Sequence, residues 1–349
     1  NPKRAVTGIY SPGTYIEEVF TSDSNNIMSL YFEEIKQFND QSILLVGLSI
    51  IDLTVGKSIV HEIYSSQEDE KYSLDECIKF ISNFNPSEII INHKNLKTLS
   101  IDNLICYLEL DKKDCLVYEL QNKEIENINY QNNYLKNIFN VGSYLSIIEE
   151  LELEKINYGR LSYILLLNYC ENHNKNLIQN LDFPEFFNKT NYLHLGNNAS
   201  RQLNIFINNK DDINNKFDSL QSVINFTQTP MGKRLLKFNL GNPIYNYKIL
   251  GQRYELINEI IEKKLLDKLK SLLHDVIDIE RVHRKMSLGT LHPFDFSNLD
   301  ESYKVITNIF KCINKTKLNE IFTDEIHSEL LNFMEYYNSI FDVNNMERY

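Results

Sequence analysis

Three short stretches carry residue types that could do chemistry. Gly56-Lys57-Ser58 has the letters of a phosphate-binding loop. Such a loop needs a glycine five residues before its Gly-Lys, so that successive backbone N–H groups can wrap a phosphate, and that position is Ile51. The tripeptide is therefore read as the turn leading into a strand. Asp52 closes an apolar strand-like run, where a metal-binding carboxylate could sit, and Glu62, Asp75 and Asp102 are its nearest conceivable partners. Two-metal phosphodiester chemistry needs several convergent carboxylates. Nothing in this spacing demands convergence, so a turn-stabilising aspartate is the first reading. Lys233, Arg234 and Lys237, with Lys263, Lys264, Lys268 and Lys270, form the densest basic stretches, and Glu255, Glu259, Glu262 and Asp267 interleave with them. Helix faces laced by i,i+4 ion pairs are the default, with Lys233 and Lys237 as weak candidates for nucleic-acid phosphate.

The eight histidines are dispersed, without an HExxH pair, and His61 reads as a half-buried strand residue rather than a general base. No GxSxG elbow is present. The five cysteines, Cys77, Cys106, Cys115, Cys170 and Cys312, lack zinc spacing and are odd in number. They read as reduced thiols in an intracellular, reducing compartment. A net charge of -12 makes a poor non-specific nucleic-acid surface. No run of about 18 apolar residues suggests a membrane span, and no signal peptide opens the chain. A start at Asn1-Pro2-Lys3, without Met, leads us to expect a segment of a longer protein.

The elements that must position these residues change character along the chain. Residues 1–20 read as an extended linker with turns at Pro2 and at Ser11-Pro12-Gly13. YFEEIKQF, residues 31–38, spaces Tyr31, Ile35 and Phe38 as a helix would. Residues 42–64 read as two strands joined by a turn over Asp52 to Gly56. Ser73-Leu74-Asp75-Glu76 has the form of a capping box opening a helix that Pro86 ends. A strand over 88–92, a helix over 101–108 and a strand over 115–120 complete a mixed α/β domain over 21–128. From about residue 129 the pattern is helical. Helices are expected over 145–153 and 158–169, and a turn at Phe183-Pro184-Glu185. Further helices are expected over 249–261, 269–286, 299–313 and 325–341.

Ser219 to Pro243 has the most explicit local grammar. Leu220, Val223 and Ile224 form one stripe, and Met231, Leu235 and Phe238 a second. Between them Thr229 stands at an N-cap and Pro230 at the first helical position, while Gly241-Asn242-Pro243 stops the second helix.

This stretch resembles the helical core of the MutS family of DNA mismatch-repair proteins, with its "TPMG-R-LL…L-P" run. TPMGKRLLKFNLGNP matches at Thr229, Pro230, Met231, Gly232, Arg234, Leu235, Leu236, Leu240 and Pro243. D-I-E-R at Asp278 to Arg281, including Glu280, then Gly289 and Pro293 with Asp295, resembles the family's "D-L-E-R…G…P-x-D". Arg4, Val6, Thr7, Pro12, Gly13 and Thr14 resemble the run that follows the mismatch-reading domain. Gly47, Asp52, Thr54 and Gly56 resemble a connector-domain pattern, while Gly196 and Asn204 depart from the family's approach to the core.

The resemblance implies a multidomain fold, α/β followed by all-α. It runs from a linker over 1–20 through a ribonuclease-H-like connector over 21–128 and a helical core over 129–262 to long lever helices over 263–349. It implies a whole protein that recognises mispaired or looped double-stranded DNA as a homodimer and hydrolyses ATP with Mg. It also implies a MutL-like partner at the connector, and neither a catalytic site nor a cofactor within these residues. Phe32-Glu33-Glu34 fits the letters of the family's mismatch wedge but lies within the connector. A ribonuclease-H-like nuclease acting through Asp52, or a structural interaction module, are the alternatives. The Asn, Ile and Lys bias fits a giant-virus or mitochondrial branch, or an AT-rich bacterium or protist, and does not choose between viral, mitochondrial, cytoplasmic and nuclear settings.

Overall fold

The computed structural model describes residues 11–15, 23–36, 42–110, 115–120, 123–139, 142, 144–187, 192–193, 195, 199–206 and 217–346. The chain divides into two compact units, Asn1–Asn188 with Leu195–Gln202, and Lys189–His194 with Leu203–Tyr349. Arg4, Val6, Thr7, Phe38 and Gly196 lie outside the described residues.

The first unit is built on a mixed six-stranded sheet in the order β5-β4-β1-β2-β3-β6. The strands are β1 (Asn26–Lys36), β2 (Ser42–Asp52), β3 (Lys57–Tyr64), β4 (Glu88–Lys94), β5 (Cys115–Glu119) and β6 (Glu185–Phe186). β2 runs antiparallel to β1 and β3, whereas β4 is parallel to β1, and β5 to β4. The strand at 26–36 corrects the helix expected over 31–38. NIMSLYFEEIK sits between β2 and β4, and Tyr31 and Phe32, on opposite faces, are both fully buried. A helical stripe buries one side only, whereas a central strand needs apolar residues on both. Phe183-Pro184-Glu185, expected as a turn, instead leads into β6 on the free edge of β3.

Two helices, α1 (Tyr72–Phe84) and α2 (Ile101–Tyr107), follow the sheet strands, and α3 (Ile128–Ile138), α4 (Ile147–Glu150) and α5 (Asn157–His173) come next. The capping box at Ser73 does not form. Lys71 is the N-cap of α1 and offers no side-chain cap, and the Ser73 hydroxyl turns to Ser65 at 2.7 Å. α1 covers one face of the sheet, where Phe80 stacks on His61 and meets the edge of Phe187. α5 covers the other. Its position there explains two glycines: a Cβ on Gly47 would lie 1.9 Å from the Tyr158 carbonyl oxygen, and one on Gly159 3.0 Å from that of His61. Backbone rests on backbone at this crossing. Ile27, Ile51, Val60 and Ile90 then pack with Leu135, Ile148, Tyr163 and Leu167 in one core. α3, α4 and α5 belong to the first compact unit, since they bury their apolar faces on the sheet.

The second unit is helical. α7 (Leu220–Ile224), α8 (Pro230–Gly241) and α9 (Tyr247–Glu262) precede α10 (Leu266–His274), α11 (Ile279–Ser287), α12 (Pro293–Ile313), α13 (Asp324–Ile340) and α14 (Val343–Met346), while the short α6 (Ala199–Gln202) belongs to the first unit. The helix expected over 269–286 is broken between α10 and α11, where Asp278 caps a new start. Residues 263–349 were expected as long levers. Among the described residues α10, α11, α13 and α14 pack around α12, whose Leu299 and Tyr303 share a core with Val282, Tyr337 and Val343. Breaks after His274, Ser287, Ile313 and Ile340 let the chain fold back.

Candidate functional site

The corner between α7 and α8 is built as its sequence grammar demands. Ser219 caps α7, and Thr229 caps α8 by accepting the Gly232 N–H at 3.0 Å, with Pro230 in the first turn. Each cap satisfies an N–H that the helix cannot. A Cβ on Gly232 would stand 3.0 Å from Thr229 Oγ1, so the glycine keeps space for the cap. At the far end the Pro243 carbonyl accepts the Leu193 N–H at 2.7 Å, and Ile244 bridges Tyr192. Met231 is half-buried, but Leu235 is 60% exposed and does not join the buried stripe expected of it.

Arg234 leaves this corner and meets the next motif. Its guanidinium grips Asp278 with both arms, at 2.6 and 2.8 Å, and donates a third bond to Glu280 at 2.7 Å. Asp278 also caps α11, and Arg281 Nε lies 3.6 Å from its carboxylate. Burial alone would lower the Arg234 pKa, but the bonds to Asp278 and Glu280 outweigh that and raise it. Two cations and two anions, largely withdrawn from water, thereby lock the corner of α8 to the start of α11. Pro293 opens α12, and Lys285 reaches Asp295 at 3.3 Å, tying α11 to α12. Lys233 and Lys237 are half-buried on α8.

In the first unit Pro12 and Gly13 form a turn seated on the sheet: Asn25 Nδ2 donates to both their carbonyls, and a Cβ on Gly13 would strike Ile27 at 2.4 Å. Asp52 ends the second strand of the sheet, not the first. Its carboxylate accepts the Thr54 N–H and hydroxyl and the Asn25 N–H, which fixes the hairpin turn. Glu62 binds the N–H groups of Tyr158 and Gly159 at the start of α5, and Asp75 accepts the Tyr107 hydroxyl, so neither converges with Asp52. Among the described residues no group of three or more His, Cys, Asp and Glu side chains is placed to hold a metal. Ser58 bonds the Tyr163 hydroxyl inside the core, and Gly56, with φ +82°, serves the turn. Phe32 is fully buried, so it presents no wedge.

Sequence reasoning missed the Glu34 clamp. This buried carboxylate accepts N–H bonds from Lys97, Thr98 and Leu99 and the Thr98 hydroxyl at 2.6 Å. Burial would raise its pKa, but those donors bring it down. Placing residues 26–36 on a strand would have been the only signal for it.

A family model, MutS domain III, matches residues 198–344. The chain is 35% identical to a putative DNA mismatch repair protein mutS homolog of Acanthamoeba polyphaga mimivirus, over 99% of this chain and 33% of that protein. It is 25% identical to a DNA mismatch repair protein MutS of Carboxydothermus hydrogenoformans, over 97% of this chain and 35% of the relative. A mitochondrial DNA mismatch repair protein mutS homolog of Sarcophyton glaucum is 28% identical over 90% of this chain and 33% of the relative. The chain spans about a third of the length of these curated relatives. Among the described residues no helix is long and apolar enough to cross a membrane.

Proposed function

The chain belongs to the MutS family, and on that premise we propose that it supplies the connector and core segment of a DNA mismatch-recognition ATPase. The whole protein would bind mispaired or looped duplex DNA as a dimer and use ATP and Mg to change its grip. In this segment the work is coupling. One observation carries that reading: Arg234 of the TPMG-R run is joined to Asp278 and Glu280 of the D-I-E-R run. A withdrawn ionic lock has few intermediate positions, so displacement of α8 is passed to α11 and, through Lys285 and Asp295, to α12. α12, with 21 residues, is about 30 Å long and stiff. The sheet order, with β2 alone antiparallel between β1 and β3, supports reading the first unit as a ribonuclease-H-like connector, the place where a MutL-like partner would dock.

The full-length gene product tests this. It should prefer a duplex with one mismatch over its matched control and release it faster with ATP. Asp278→Asn should leave mismatch affinity within about threefold while blunting the ATP-driven release. Absence of mismatch preference in the wild type overturns the family function, and unchanged ATP-driven release in a folded Asp278→Asn protein overturns the coupling role.

A further inference from the structure

α5 begins over Gly47, and the same face of the sheet runs on past it towards the end of β1 and the beginning of β2, where Leu45 is buried but residues at the rim are not. The register places Tyr31, Gly47 and Glu62 in one row and Glu33, Leu45 and Tyr64 in the next. Ile35 and Ile43 form the row after that. Tyr64 is 52% exposed and Ile35 38%. The Tyr158 ring lies near-parallel to Tyr31 at 6.3 Å and perpendicular to Tyr64 at 6.5 Å. An exposed tyrosine thus stands beside the Glu62 carboxylate, with Glu33 in the same row two strands away, at the rim of an apolar strip.

The two carboxylates on this strip are held by neutral donors. Glu33 accepts the Tyr31 hydroxyl and the Asn95 amide, and Glu62 accepts the Tyr64 hydroxyl besides the start of α5. Among the described residues neither carboxylate has a Lys or Arg ion-pair partner. Lys94, in the same row as Glu33, is taken by Glu126. Arg160 is buried among the Gln131 side chain, the Leu153 carbonyl and Asn157, and reaches Glu62 through its charge, not through a hydrogen bond. The Tyr64 hydroxyl has its pKa raised, first by burial and then by Glu62.

We propose that this strip is a docking surface for a polypeptide segment that carries an arginine beside an apolar residue. The planar guanidinium would lie on the Tyr64 ring and fork to Glu33, while the apolar neighbour covers Ile35 and Ile43. Arginine fits better than lysine because it stacks and forks at once. Glu62 stays with the α5 N–H groups and adds field, not a direct bond. The proposal concerns the first unit alone and stands whether or not the coupling reading does.

The test uses the full-length protein and two labelled peptides, one with a central arginine flanked by leucines and one with citrulline in its place. The arginine peptide should bind at least about fivefold tighter than the citrulline peptide. Tyr64→Ala and Glu33→Gln should each erase most of that difference, whereas Glu335→Gln, an exposed carboxylate in the other unit, should not. The conservative Glu33→Gln keeps the test valid if Tyr64→Ala unsettles the strand, and thermal melting of each variant checks folding. Equal affinity for both peptides, equal loss with Glu335→Gln, or no binding by the wild type would each overturn the proposal.

Discussion

The two units solve the burial problem differently. In the first, a two-sided sheet takes whole side chains out of water, and Ile27, Tyr31, Phe32, Leu48 and Tyr163 are fully buried. In the second, Leu299 is fully buried, yet Tyr254, Ile257 and Ile261 on α9 and Leu235 on α8 remain more than half exposed. Polar locks do more of the joining there: Arg234 with Asp278 and Glu280, and Asp300 of α12 with Tyr337 of α13. A sheet closes around its own core, whereas amphipathic helices depend on partners and on specific ionic contacts for their relative placement. The first unit should therefore respond most to changes of shape and the second to changes of charge.

The sharpest way to break that contrast is Gly47→Ala. Its Cβ would meet backbone at 1.9 Å, so α5 must move off the sheet. A loss of about 3 kcal/mol, the upper end for overpacking, is expected in denaturant unfolding. A smaller loss would mean that the crossing is loose and the first unit is not shape-limited. Next is Arg234→Ala, which strands Asp278 and Glu280. A loss of about 3 kcal/mol is expected for the second unit, whereas Arg234→Lys, which cannot fork, should retain part of it. An Arg234→Ala protein as stable as the wild type would remove the lock from the comparison.

Glu34 places a charge-dependent feature in the shape-limited unit. Its folded-state pKa is depressed, so its contribution is fully present above the unfolded value of about 4.3. That contribution disappears as pH falls through the folded value. Glu34→Gln should therefore cost stability at neutral pH, and the gap to wild type should narrow on acidification. A gap that widens instead would reverse the assignment. Thr229→Ala should cost about 1 kcal/mol, the usual worth of an N-cap. The smallest effect is expected from Lys317→Met: its pair with Glu255 is exposed, and no measurable change in Tm should follow.

Local rules were enough at the α7–α8 corner. Thr229 and Pro230 act within one helical turn, so their roles are readable from spacing. The turn held by Asp52 was readable for the same reason. Spacing misled where two local readings compete. Residues 31–38 fit a helical period, and only pairing with β2 and β4 settled them as strand. Ser73 had the letters of a cap, but Ser65 offered its hydroxyl a buried partner. The Arg234 lock lies between these cases. Both runs were recognisable from their letters, but nothing in either says that positions 234 and 278 touch.

The Thr229 cap and the start of α8 were thus settled by neighbours along the chain, because their hydrogen bonds close within four residues or fewer and compete only with water. The central strand, the packing of α3, α4 and α5 on the sheet and the ionic lock were settled by folding. Each depends on groups far apart in the chain that lose water together, and that free energy exists only once the surfaces meet.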